Sequence, residues 1–339
     1  MKIPTFIKSL ISVITVGAIF CSFCGCSSTG GSGMKKEPIK HSGKELLVSP
    51  DFSSGFNVRS TTTADGALIK GRFDYGKKNA SPVWTISQWG ASESITDGKV
   101  TKLSNGYWCY EGKDLTLTVD TKAGMVKQAA YASKCYDETR TGVTQWLHLL
   151  VEQYLSEVSK DLQNVRLVNL ETLYASGRFK LTYFEDHMGD TANPGQHCAS
   201  YLFYLNLQNL NKESKDFGKV MHFGLNIFDN REEYTKLYCA KDLTSPNYIY
   251  SLGSESFFTD SFFKDGKPYG SEDNDFIVLD LDVYPYLKIA FEDAKSKGFL
   301  KDTEFEDLYI SAYSIGWEVP GTYDVEMCAK DISLKATYK

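Results

Sequence analysis

Residues 145–155, QWLHLLVEQYL, satisfy two periods at once. Wound as an α-helix, the segment puts Leu147, Leu150, Val151 and Tyr154 on one stripe, and Val158 and Leu162 extend that stripe. Drawn out as a strand, it puts Leu147, Leu149, Val151 and Leu155 on one face. Trp146, His148, Glu152 and Tyr154 then take the other face. The helix would be an ordinary core helix. The strand would display two aromatics, an imidazole and a carboxylate in a row, which is how a sugar-binding face is often built.

The rest of the chain favours the strand over residues 143–155. Short β-type runs bounded by Gly, Asn and Ser follow one another: GALIKGRFDY, SPVWTISQW, GYWCYEGKDLTLTVD with a hairpin break at EGKD, and GMVKQAAYAS. VRLVNLETLYASGRFKLTYFED, HCASYLFYLNLQNL, KVMHFGLNIFD, DFIVLDLDV, DLYISAYSIGWEV and YDVEMCAKDISLKATY continue the series. In GRFKLTYFE, Phe179, Leu181 and Tyr183 alternate with Arg178, Lys180 and Thr182, the pattern of a half-buried strand. Only YPYLKIAFEDAKSKGF reads as a long helix. Tyr284, Leu287, Phe291 and Ala294 share a stripe, Pro285 suits the first turn and Gly298 the C-terminal cap. The 21 Tyr and 20 Phe suit strands as well. The expectation is an all-β fold: one large antiparallel β-sandwich, jelly-roll or concanavalin-like, over residues 46–339, with one peripheral helix.

The net charge of −6 gives none of the basic footprint of a nucleic-acid binder. The sequence holds no G-x-S-x-G, Walker, G-x-G-x-x-G or H-E-x-x-H motif, so triad hydrolase, nucleotide and zincin chemistries have no support. At the N-terminus, Lys2 and Lys8 supply positive charge ahead of an apolar run of export-signal length, SLISVITVGAIFCSF. FCGCSSTGGSG follows and resembles a bacterial lipoprotein signal, with Gly25 and Cys26 at its last two positions. The resemblance implies a signal peptide over residues 1–25, lipidation of Cys26, and export to the outer face of a bacterial membrane or cell surface. A plain secretory leader is the alternative. Residues 26–45 read as a Ser/Gly tether. Five further cysteines, Cys109, Cys135, Cys198, Cys239 and Cys328, cannot all pair within one chain. They read mostly as small buried hydrophobes, with Cys109–Cys135 a possible bridge.

Candidate chemistry falls in four places. Glu152 and Glu318 could form the carboxylate pair of glycoside hydrolysis, with His148 as a base or orienting group. In SIGWEVPGTYDVEM, Glu318 stands beside Trp317 at a strand end. A ring that stacks next to a carboxylate that accepts hydroxyls suits a sugar. In HFGLNIFDNREEY, His222, Gly224, Asn226 and Phe228 share one face, with Asp229 and Arg231 at the rim. The acidic run GSEDNDFIVLDLD could hold calcium, or be a solvated loop.

The lipoprotein-like leader, the tether, the β-rich body and the closing KDISLKATY strand together resemble lipid-anchored bacterial jelly-roll proteins that handle polysaccharides. That resemblance implies an exported protein that binds extracellular polysaccharide or oligosaccharide and meets the membrane only through its lipid. Trp146, Tyr154, His222, Asn226, Asp229, Arg231 and Trp317 would bind the ligand, beside Glu152, Glu318 and His148. A glycoside hydrolase or polysaccharide lyase using the same groove is the alternative, and an adhesive or structural surface protein a third.

Overall fold

The computed structural model describes residues 40–65, 68–77, 81–136, 140, 145–242 and 245–339. The leader, Cys26 and most of the tether lie outside them. Two large sheets form a sandwich of the jelly-roll kind. The first sheet runs β17 (Ile277–Asp282), β10 (Leu170–Asp186), β19 (Tyr323–Tyr338), β8 (Met125–Tyr131), β7 (Leu115–Asp120), β6 (Trp108–Glu111), β5 (Lys99–Lys102). Its eighth strand, β1 (Lys44–Glu45), pairs with β19. The second sheet runs β13 (Tyr238–Lys241), β14 (Tyr248–Leu252), β12 (Val220–Asp229), β11 (Ser200–Asn209), β18 (Leu308–Val319), β9 (Leu147–Gln153), β4 (Trp84–Ser87), β2 (Phe56–Arg59), β3 (Ile69–Phe73). A small hairpin, β15 (Phe263–Lys264) with β16 (Lys267–Pro268), stands apart. Pairing is antiparallel except for β12 with β14 and β2 with β4, which are parallel.

The ambiguous opening segment is strand β9, and only α1 (Leu155–Val158) continues it as helix. Its neighbours explain the outcome. β9 lies between β4 and β18, so both edges of its backbone are paired. Leu147, Leu149 and Val151 enter the core. They belong to the same core as Trp84, Tyr313, Phe203, Tyr201 and Trp317, whose rings meet edge to face. Between the sheets sits a buried amide. Gln128 of β8 donates through Nε2 to the Leu149 carbonyl at 2.7 Å and accepts from the Tyr201 hydroxyl at 2.6 Å. Its own carbonyl accepts from Trp317 Nε1 at 2.8 Å.

The long helix α2 (Tyr284–Ser296) presents Leu287, Ala290, Phe291 and Ala294 to the interior and packs on β10, β12 and β14. It lies at the end of the sandwich that carries β17 in one sheet and β13 and β14 in the other. Gly298, at φ +90°, ends the helix as its composition indicates.

Three readings are corrected. Tyr183 is exposed and Thr182 buried, because the β10–β19 ladder shifts register between Leu181 and Tyr183 and reverses the alternation. Residues 40–45 already belong to the body: Lys44 and Glu45 pair with Ala336 and Lys335, and His41 stacks on Tyr174 at 3.5 Å. Cys109 and Cys135 are unbonded; Cys135 instead donates to the Asp114 carboxylate, and burial pushes its thiol up to about 12.

Candidate functional site

The inner face of the nine-stranded sheet is apolar and its outer face is not. Cross-strand register defines three rows on the outside. One row runs Gly224, Tyr204, Ser314, Glu152, Thr85, Asn57, Arg72 from β12 to β3. The next holds Asn226, Leu202, Gly316, Leu150 and Ser87. The third holds Asp229, Ser200, Glu318 and His148. Side chains directly opposite on paired strands have Cβ atoms about 4.5–5.5 Å apart. The register therefore decides what can act together.

Glu152 and Glu318 do share this face on adjacent strands, but they are not opposite each other. Glu318 faces His148, and Glu152 faces Ser314. Four residues of β9 separate the two carboxylate positions, about 13 Å along the strand. Between them lies Gly316, at φ +150°. A Cβ there would stand 2.1 Å from the Leu149 carbonyl oxygen, so the position admits only glycine.

The two carboxylates also differ in surroundings. Glu152 accepts from Ser87 Oγ at 2.5 Å and Tyr154 Oη at 3.0 Å, and Arg59 Nη1 stands 3.8 Å away. Arg59 lies over the Tyr154 ring. Burial, then the Glu152 charge, push the Tyr154 phenol far above its ordinary range, so it remains a donor. Glu318 is the more open side chain, 27% exposed against 12% for Glu152. Its ionisable neighbour is His148, with Nε2 at 4.0 Å from Oε2.

The His148 ring is fixed. Nδ1 lies 2.9 Å from the Trp146 carbonyl and 3.3 Å from the Trp89 carbonyl. Both are acceptors only, so Nδ1 donates to them, and Nε2 is the ring atom that faces Glu318. Trp146 stacks on the imidazole at 5.5 Å and Trp89 meets it edge-on at 5.6 Å. Neither indole N–H has a partner among the described residues.

His222 is built differently. Asn247 Nδ2 donates to Nε2 at 3.1 Å, so Nδ1 gives its hydrogen to Asn206 Oδ1 at 2.8 Å. Burial lowers its pKa, and the ring is a neutral spacer. The space over Gly224 is taken by Tyr204: a Cβ there would meet the Tyr204 ring at 2.6 Å. Burial, followed by the nearby Glu318 charge, holds the Tyr204 phenol well above its usual range.

Some expected ligand contacts are placed elsewhere. Trp317 is fully buried on the core side, against Tyr201 and Phe228. Phe228 is core too. The β11–β12 ladder slips between Tyr201 and Leu202, inserting Ile227 and turning Phe228 inward. Asp229 and Arg231 hold each other through Nε and Nη2 at 2.8 and 2.6 Å. Ser200 adds a bond to Asp229, and Arg231 Nη1 donates to the Pro194 carbonyl. Both are spent on fastening the strand end. Asn226 stays on the outer face, its Oδ1 buried without a partner. Trp89, Tyr204, Arg59 and Ser87 were not foreseen. Trp89 in ISQWG and Tyr204 in YLFYLNL carried a strand-phase signal, but the phase could be set only after the register was known.

The acidic run does not converge on a cation. Glu272 pairs with Lys127 at 2.6 Å, Asp280 with His41 at 2.6 Å, and Asp282 accepts from the Leu173 and Tyr284 amides. Among the described residues, the metal-capable group that does converge is Glu185, His187 and Asp324, in the other sheet.

No protein-family model and no curated protein sequence matches this chain. Solved structures with a similar layout include endoglucanase Cel12A from Rhodothermus marinus, 9% identical over 71% of this chain and 97% of that one, TM-score 0.38. Another is the family 12 xyloglucanase from Bacillus licheniformis, 10% identical over 71% and 97%, TM-score 0.40. The xyloglucanase domain of NopAA from Sinorhizobium fredii, solved with cellobiose, is 10% identical over 72% and 100%, TM-score 0.33.

Proposed function

We propose that the protein binds carbohydrate across the outer face of its nine-stranded sheet, with His148, Glu318, Trp89, Trp146, Tyr204 and Asn226 at the centre. One observation carries this reading. Of the eleven buried side-chain polar atoms without a partner among the described residues, five, Trp89 Nε1, Trp146 Nε1, Arg59 Nε, Asn226 Oδ1 and Ser251 Oγ, gather on or beside this one face. Each such atom costs about 1–3 kcal/mol unless something supplies its bond. A ligand dense in hydroxyls, each both donor and acceptor, suits such a mixed set of donors and acceptors beside half-buried rings.

Binding is favoured over hydrolysis by the Glu152–Glu318 pair. Hydrolysis needs carboxylates about 5–9.5 Å apart. Here the residue opposite Glu318 is an imidazole, while Glu152 is held by two hydroxyls and faces an arginine. A second reading draws on the fixed orientation of the His148 ring, whose Nε2 faces Glu318 across the same face and is the atom a polysaccharide lyase would use to take a proton.

The test compares Glu318→Gln and Glu152→Gln on a glycan array and a panel of polysaccharides, scoring binding and release of reducing or unsaturated ends. Glu318→Gln should weaken binding by about 10- to 100-fold, as loss of a bond to a charged group does. Wild-type turnover lost in His148→Ala would establish the lyase reading instead. No binding and no cleavage by the wild type would end the carbohydrate reading.

A further inference from the structure

On the side of the sandwich away from α2, the edge strand β3 of one sheet and the β5–β6 pair at the end of the other frame a cavity of about 260 Å³. Its floor is Phe73 stacked on Tyr110 at 3.7 Å. Tyr75 and Trp108 form an angled platform, 5.8 Å apart and inclined at 52°. Pockets for drug-sized ligands measure about 300–1,000 Å³, so this one suits a single ring.

Its charge is unlike that of the chain as a whole. Arg72 lines the pocket, is exposed, and makes no ion pair or hydrogen bond among the described residues. Lys102 and Lys77 stand over the Trp108 and Tyr75 rings at 5.6 and 5.7 Å, and Lys77 also donates to the Ser53 carbonyl at 3.1 Å. The one acid lining it, Asp74, accepts the Gly76 amide at 3.0 Å. An unpaired guanidinium with two ammonium groups, in a chain of net charge −6, marks a local preference for an anion. Aromatic faces below it mark a preference for a flat, C–H-bearing ring.

From this juxtaposition we propose that the pocket is a separate acidic-sugar site, which takes one hexuronate ring on Trp108 and Tyr75 and its carboxylate on Arg72. Arg72 also ends the outer-face row that begins at Gly224. A uronate at the end or branch of a bound glycan would therefore be read beside the proposed binding face. The site does not depend on that face being a glycan site.

The test is a fluorescence and NMR titration of the protein with glucuronate and galacturonate, with glucose and acetate as references. The site predicts saturable uronate binding, at least about 10-fold weaker for glucose and for acetate, since each lacks one half of the recognition. Arg72→Gln lies on the surface and should leave the fold intact. It should weaken uronate binding about 10- to 150-fold, the equivalent of one charge-assisted interaction. Trp108→Ala should weaken it as well. Equal binding of glucose, or of acetate, would overturn the proposal in favour of a neutral-sugar or a simple anion site. Uronate binding kept in Arg72→Gln but lost in Glu318→Gln would place the ligand on the sheet face and overturn the pocket. Absence of uronate binding while polysaccharide binding persists would overturn the pocket and leave the face standing.

Discussion

Gln128 shows how one polar residue can pin two sheets. Its amide serves the Leu149 carbonyl and the Tyr201 hydroxyl, both deep between the layers. Gly316 makes this possible, because a Cβ there would stand 2.7 Å from Gln128 Nε2. Gln128→Leu keeps the volume but strands both partners. At about 1–3 kcal/mol for each buried orphan, urea unfolding should show a loss of about 2–4 kcal/mol. A change below about 0.5 kcal/mol would mean the amide is not a tie. His222 yields a second residue-scale prediction. Burial puts its folded pKa below the unfolded value near 6.5, so the unfolded chain takes up the proton first. The stability it contributes is complete above pH 6.5 and is lost as pH falls toward the folded pKa. Thermal midpoints measured from pH 7.5 to 5 should fall more in the wild type than in His222→Gln. Equal slopes would show that the ring is charged in the fold. Neither residue's role was legible in the sequence. Nothing in the sequence singles out Gln128, and His222 reads there as a ligand contact, because a hydrogen-bond partner 16 or 73 positions away leaves no local trace.

At the scale of elements, local periodicity reached the strands and α2 but not the bulges. Nearly every run of alternating residues is a strand, since alternation and burial are the same fact once a sheet packs on one side. A bulge adds one residue and reverses the phase, which moved Phe228 and Tyr183 to the opposite faces from those expected. Register is the other invisible quantity. That β9 and β18 carry both glutamates on one face follows from alternation alone. That His148, not Glu152, stands opposite Glu318 follows only from how the strands pair. The helix was legible because its stripe and both ends carried signals. It also lies at one end of the sandwich, with Leu287 fully buried. Leu287→Ala should cost about 2–5 kcal/mol by cavity formation. Helical circular dichroism should be lost in the same transition as the sheets, because α2 packs on strands of both layers. An earlier, separate helix transition would show that α2 is an ornament.

At the scale of the molecule, a Tyr- and Phe-rich chain buries rings between two sheets and still has rings left for an outer surface. Where such a surface works depends on the leader, whose FCGC stretch carries the proposal of a lipid anchor at Cys26. A single acyl chain gives only marginal membrane binding, so a stable anchor requires the multiple chains of a fully processed lipoprotein cysteine. Cys26→Ala in the full-length protein should therefore move it from the membrane fraction to the soluble exported fraction. The other cysteines provide the control. Cys239 is exposed and unbonded, so Cys239→Ala tests whether any accessible thiol can hold the protein at the membrane, and it should leave fractionation unchanged. Glycan binding by the released Cys26→Ala protein should match the wild type, because every residue of the proposed face lies between Asn57 and Glu318. Membrane retention in Cys26→Ala would exclude lipidation there. Release with loss of glycan binding would show that the anchor does more than hold the domain in place.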